Sequence, residues 1–217
     1  RQLMPNYCNN NIVITGPNSV IDKIEKIANG DKGDLLQYFY PMPEALKDTT
    51  APLPKDATKE EKAKAKENLK KYGYDNWYDW RVENWGTKWD IMEFYNINRK
   101  EIGEDESEIS LGFDTAWAPA LGAYEKFIDE NSNCSLKAYY YEPGCDFMGE
   151  WDNGIDSCFE VAKYGLDDDF WKQGIGSTLD DYFGITESMA QYLEDTMMDE
   201  EVYKYSKGEK VNMGEDA

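Results

Sequence analysis

The sequence predicts a mixed α+β fold. Three observations carry the prediction: segments in which apolar residues alternate with polar ones, two amphipathic helices between such segments, and the order in which the two kinds recur. The β-branched run Asn11-Ile12-Val13-Ile14-Thr15 is stopped by Gly16-Pro17 and forms the first strand. Val20, Ile21, Ile24, Ile27 and Ala28 then share one face of a helix that Asn29-Gly30 terminates. Residues 31–86 hold Pro41, Pro43, Pro52 and Pro54 and no strand of comparable quality, so the span reads as an insertion.

Trp89 to Ile97 is a second strand candidate, and Ile109, Leu111 and Phe113 alternate in a third, the two meeting in a hairpin across Gly103. After Pro119, the residues Leu121, Tyr124, Phe127 and Ile128 give a second amphipathic helix, and Leu136, Ala138 and Tyr140 alternate in a fourth strand. The order βαββαβ is that of the split βαβ, or ferredoxin-like, arrangement, with two helices on one face of an antiparallel sheet. Two further strands, near 145–151 and 155–162, meet across Asp152-Asn153-Gly154, whose Asn-Gly pair is a hairpin signal, and they extend the sheet. From Leu166 onward the chain reads as helical, with Met189, Leu193 and Met197 four residues apart. The predicted organisation is a ferredoxin-like domain over 4–163, carrying the insertion at 31–86, followed by an acidic helical extension over 164–217.

Of the 217 residues, 44 are acidic, 23 are basic and none is histidine, which gives a formal charge of −21 at neutral pH. Bare nucleic acid and anionic membranes repel such a chain. The missing histidine excludes imidazole-based triads, histidine-ligated zinc and the usual near-neutral general base. With 41% hydrophobic and 14% aromatic residues the chain is rich enough in apolar groups for a packed core. No run of about 18 apolar residues occurs, and the first residues lack the apolar stretch of a secretory signal, so a cytoplasmic location is expected. The four cysteines are expected to be reduced thiols, with Cys158 packed in its strand.

The charge is unevenly distributed. Residues 1–100 are nearly balanced, whereas residues 150–217 hold 18 acidic and 5 basic residues, including Asp167-Asp168-Asp169, Asp180-Asp181 and Asp199-Glu200-Glu201. Trp171, Tyr182, Phe183 and Tyr192 are interspersed among them, which predicts a folded acidic surface and not a tail. In contrast, residues 58–71 carry six lysines against three glutamates with no continuous apolar stripe, the pattern of a solvated helix on an inserted arm.

Several stretches resemble the YubB-like family of ferredoxin-like proteins from bacteriophages and conjugative plasmids: MPNYCNNNIVITGP, YPMPEAL, NWYDWRVENWGTKWD, LGFDTAWAPALGAYE and YYYEPGCDFMGEW, in order from Met4 to about Trp151. Arg1-Gln2-Leu3 precede the start of that pattern and are left out of the fold prediction. The resemblance implies the fold and a mobile-element origin, and it implies no reaction. Genes of this kind often sit among those that manage host defence, so counter-defence is the associated expectation.

Candidate chemistry is sparse. The cysteines lack a CxxC pair, which disfavours a thiolate zinc site. Asp146, Glu150 and Asp152 would share one face of a strand, a conceivable divalent-cation set, yet the spacing matches no catalytic motif. Trp77, Tyr78, Trp80, Trp85 and Trp89, with Arg81 among them, form an aromatic block that is either core or a recognition surface. A rigid array of carboxylates can compete for a basic nucleic-acid-binding cleft, and it can equally serve solubility alone.

The expected function is that of a non-catalytic accessory protein, without metal or cofactor, which binds and inhibits a host protein such as a nucleic-acid-handling defence factor. Asp167, Asp168, Asp169, Asp180, Asp181, Asp199, Glu200 and Glu201 would steer the encounter and imitate phosphates, and exposed members of the set Trp77, Trp80, Arg81 and Trp85 would anchor it. Direct nucleic-acid binding and membrane binding are not expected. The alternatives are a small-molecule or nucleotide-binding module, with a pocket beside the tryptophan block, and a structural protein that self-assembles.

Overall fold

A computed structural model of the chain describes residues 6–30 and 33–206, with residues 198–206 described by their backbone alone. The chain divides after Val161 into two compact units. In the first unit, six strands form one sheet: β1 (Tyr7–Pro17), β2 (Phe94–Glu101), β3 (Glu106–Ala116), β4 (Ser135–Glu142), β5 (Phe147–Asp152) and β6 (Ile155–Glu160). Every neighbouring pair is antiparallel, in the order β2-β3-β1-β4-β5-β6.

Alternation fixes which face is buried. Cys8, Ile12 and Ile14 of β1, Ile109, Leu111 and Phe113 of β3, and Leu136, Ala138 and Tyr140 of β4 are all excluded from solvent. They share one core with Ile21 and Ile24 of helix α1 (Asn18–Ala28) and with Ala123, Tyr124 and Phe127 of a later helix, Leu121–Glu130. Asn153 and Gly154 both have positive φ, the conformation a two-residue hairpin turn demands, and they join β5 to β6 as the Asn-Gly pair predicts.

The span 31–86 departs from expectation. It contains four helices, α2 (Leu35–Phe39), α3 (Glu44–Lys47), α4 (Lys59–Tyr72) and α5 (Trp77–Trp85), and α6 is the helix Leu121–Glu130. Only α4 is a solvated arm: its Thr58 cap and Glu61 form a reciprocal capping box, and Gly73 ends it in the left-handed conformation that glycine adopts without strain. The rest is core. Leu35, Leu36, Phe39, Met42, Leu46, Trp80 and Trp85 are buried, and the Phe39 and Phe127 rings stand 4.4 Å apart between α2 and α6. Helices α5 and α6 approach so closely at Gly122 that a Cβ there would lie 2.3 Å from the Asn84 carbonyl oxygen.

The strand expected from Trp89 begins instead at Phe94. The reason is Asp90, whose Oδ1 accepts from the Leu36 and Ile91 amides at 2.9 and 2.8 Å and whose Oδ2 accepts from the Gln37 amide at 2.9 Å. These bonds tie the segment to the start of α2, where the first N–H groups lack partners within the helix. Burial pushes the Asp90 carboxyl up to about 6 from its ordinary 3.8, against the lowering pull of those three amides. The folded state therefore holds a proton between about pH 4 and 6 that the unfolded chain has released, so this group's contribution to stability falls as pH rises through that window, by on the order of 3 kcal/mol. The expected result is that the stability gap between the parent and Asp90→Asn, measured by urea unfolding, narrows from pH 4.5 to pH 7. A constant gap would remove Asp90 from the account.

The second unit, described from residue 162, holds a 3₁₀ turn (Asp169–Lys172) and the helices α7 (Gly174–Phe183) and α8 (Ile185–Ser206). Tyr164 stacks on Phe170 at 3.8 Å, Trp171 meets both rings edge-on, and Trp171, Leu179 and Ile185 are buried. Gly184, at φ 59°, separates the two helices. Among the described residues no helix is long and apolar enough to cross a membrane.

Candidate functional site

Within the acidic set, the carboxylates do unequal work. Asp167, Asp168, Asp169 and Asp181 are exposed, whereas Asp180 is half-buried. Asp180 fixes the α7–α8 junction by accepting from the Thr186 amide and hydroxyl, both at 2.7 Å. Asp168 accepts from the Phe170 amide at 2.8 Å and so caps the 3₁₀ turn, and Asp169 pairs with Lys172 at 2.6 Å. Asp199, Glu200 and Glu201 lie along the α8 backbone, and their side chains fall outside the described residues. Along α8, Tyr192, Leu193 and Met197 are exposed.

The tryptophan block is mostly core. Trp85 is fully buried and donates from Nε1 to the Tyr40 carbonyl at 2.8 Å; Trp80 is also buried and meets Trp85 edge-on at 5.8 Å. Neither can anchor a partner, because large rings at helical spacing on α5 turn inward to meet α2 and α6. Trp77 is half-buried, and the Arg81 guanidinium lies 5.3 Å from its ring centre and 4.7 Å from that of Trp85. Burial pulls Arg81 below its ordinary value, and its Nε finds no hydrogen-bond partner among the described residues. This arginine is a positioned part of the aromatic stack.

The other candidates also disperse. Asp146 lies in the turn before β5 with a positive φ, while Glu150 and Asp152 both pair with Lys137, at 3.4 and 2.9 Å. No group of three or more potential metal ligands occurs among the described residues. Cys158 is exposed and not packed, because β6 is the outer strand and nearly all its residues face solvent. Cys8 is buried, and burial pushes its thiol up, away from thiolate chemistry.

Beside Trp89 of the tryptophan block lies a cleft of about 510 Å³, where the start of β1, the start of β2 and the end of β3 meet the segment 89–93; its lining from the strands was not foreseen in the sequence. Tyr7, Trp89, Met92, Tyr95 and Asp114 line it. Register sets the geometry. The β2–β3 pairing shifts between Tyr95 and Asn98, a bulge with Asn96 at φ 54°, and this aims Tyr95 across β3. Gly112 makes room for the Tyr95 ring: a Cβ there would come within 2.5 Å of it. The Tyr95 hydroxyl donates to Asp114 Oδ1 at 3.0 Å, and Asn9 Nδ2 donates to the same oxygen at 2.8 Å. Burial first and the Asp114 charge second push the Tyr95 hydroxyl up, so it stays a donor.

A polar network supports the floor. Buried Asn10 donates to the Thr115 hydroxyl and the Cys8 carbonyl, both at 2.8 Å, and accepts from the Tyr124 hydroxyl at 3.3 Å. Thr87 and Ala116 exchange two hydrogen bonds, at 2.9 and 3.0 Å, which hold the end of β3. Trp117 follows with φ 72°, an uncommon conformation for a bulky residue. The signals in the sequence were Asn96, which interrupts the alternation of β2, and Gly112, a glycine inside a strand; the partners that make them a site lie far apart in the chain.

No family model matches the chain, and no curated protein matches it. Among solved structures it is similar to the crystal structure of protein Api92 from Yersinia pseudotuberculosis, of the DUF1281 family model. The two share 13% identity over 75% of this chain and 99% of that one, with a TM-score of 0.39. At that level the likeness supports neither a fold assignment nor an activity.

Proposed function

We propose that the chain is a non-catalytic accessory protein of a mobile element, which binds and inhibits a basic, nucleic-acid-handling protein of its host by presenting carboxylates where that protein expects phosphates. The observation that carries this reading is that Asp167, Asp168, Asp169 and Asp181 are exposed on a unit with its own buried aromatic core. Carboxylates held on a packed scaffold present a field of fixed shape, which a disordered acidic tail cannot do. Exposed Tyr192, Leu193 and Met197 on α8 add apolar area of the kind that anchors an interface.

The same reading takes the first unit as a ferredoxin-like split βαβ domain of the YubB-like kind. Its support is the strand order β2-β3-β1-β4 with α1 and α6 sharing one core, to which β5 and β6 add a hairpin. A crystal structure with the two helices on opposite faces of the sheet would overturn that assignment.

Affinity capture from a bacterial host lysate tests the function. The expected result is one basic nucleic-acid-binding enzyme, retained at about 50 mM salt, released at about 300 mM and inhibited by the purified protein, because steering by exposed charge is screened over that range. A captured protein whose nucleic-acid activity is untouched would overturn the mimicry.

A further inference from the structure

We infer that the cleft between β1, β2 and β3 is a binding site for a small organic cation of the alkylammonium class, recognised by the aromatic walls of Tyr7, Trp89 and Tyr95 and by the carboxylate of Asp114. The site lies wholly in the first unit and does not depend on the acidic helical surface.

The lining selects the charge of the ligand. Among the described residues that line the cleft there is no lysine or arginine, whereas three aromatic rings and the carboxylates Asp90, Glu93 and Asp114 are present. An anion would meet no counter-charge among the lining residues, and a cation gains the carboxylates and the ring faces that Lys88 leaves open. Trp89 already holds one cation: the Lys88 ammonium stands 4.6 Å from its ring centre and 5.6 Å from that of Tyr78.

The carboxylates separate by role. Asp90 has both oxygens engaged by the amides of Leu36, Gln37 and Ile91, which makes it part of the frame. Asp114 receives its two hydrogen bonds, from Asn9 and Tyr95, on Oδ1 alone, so the carboxylate is fixed in orientation with Oδ2 left for a ligand. The donor that orients it, Tyr95, is itself one of the walls, and the bulge and Gly112 fix that wall in turn. A positioned carboxylate beside aromatic faces is the arrangement that retains quaternary ammonium groups.

Size completes the argument. A volume of about 510 Å³ exceeds what an alkali ion uses and lies in the range of small-molecule sites, so the ligand carries an apolar body beside its charged head. Met92, 85% exposed at the cleft, is a flexible apolar contact for that body. The net charge of −21 raises the local concentration of any cation, and an experiment has to separate that diffuse attraction from a built site.

Titration of choline against its uncharged isostere 3,3-dimethyl-1-butanol, at matched ionic strength, followed by tryptophan fluorescence and amide chemical shifts, makes that separation. Choline is expected to bind at least about tenfold more tightly than the alcohol, with shifts at Tyr95 and Asp114. In Asp114→Asn, which keeps an acceptor for Asn9 and Tyr95, the choline affinity is expected to fall by about tenfold. Tyr7→Leu, at a half-exposed position, is expected to lose several-fold. Equal binding of choline and the alcohol would overturn the inference, as would an unchanged choline affinity in both variants or no shift at the cleft.

Discussion

Replacing Trp85 by alanine is expected to remove about 3–5 kcal/mol of folding stability, a large share of the roughly 5–15 kcal/mol that holds a domain together. Trp85 is 0% exposed, its Nε1 bonds the Tyr40 carbonyl, and its ring carries Trp80 on one side and Arg81 on another. Truncation opens a cavity, leaves the part-buried Tyr40 carbonyl without its donor and removes one of the two rings that hold an arginine without a partner for its Nε among the described residues. Urea unfolding followed by circular dichroism measures the loss, with Leu69→Ala on the exposed face of α4 as the control that stays within about 0.5 kcal/mol. A loss below about 1 kcal/mol for Trp85→Ala would mean that the helices of 35–85 fold apart from the sheet.

Reversing charge at Asp167, Asp169 and Asp181 to lysine is expected to slow association with the captured partner by on the order of 10- to 100-fold at low salt, while dissociation changes little. These three sites are exposed, and the Asp169–Lys172 ion pair that is lost is a surface pair of small worth. Asp168 and Asp180 are spared because they cap the 3₁₀ turn and the α7–α8 junction, where substitution would disturb the scaffold as well as the charge. Surface plasmon resonance across a salt series is the measurement. An association rate equal to the parent's at about 50 mM salt would leave the acidic surface without a role in binding.

Much of the sheet was legible from local pattern. Ile109, Leu111 and Phe113, and likewise Leu136, Ala138 and Tyr140, announce strands because one face is buried and period two has no other cause. Apart from the lysine-rich α4, the span 31–86 was illegible for the opposite reason. Helices of four and five residues are too short to display a 3.6-residue period, and the prolines that punctuate them read as loop. In the tryptophan block the spacing of Trp77, Trp80 and Trp85 did contain the helical face, and composition alone could not say that α2 and α6 would cover it. Cys158 misled because an outer strand has an apolar-looking sequence and no buried face. A pocket beside the tryptophan block was one of the alternatives, but its walls could not be read, since Tyr7, Trp89, Tyr95 and Asp114 meet only after the chain has paired β1 and β2 with β3.

The two outermost strands decide how copies of this protein behave at high concentration. An open sheet offers unpaired amide and carbonyl groups at each rim, and a long flat rim recruits further strands. Here β2 is interrupted at Asn96 and carries Arg99, Lys100 and Glu101, with Arg99 drawn to Asp22 and Glu25 of α1 at 2.7 and 2.6 Å. At the other rim, β6 is only six residues long and begins and ends near Asp156 and Glu160. Both rims are kinked, short or charged, so growth of the sheet from one molecule into the next is disfavoured. Edge-to-edge pairing of copies through these rims is disfavoured for the same reason.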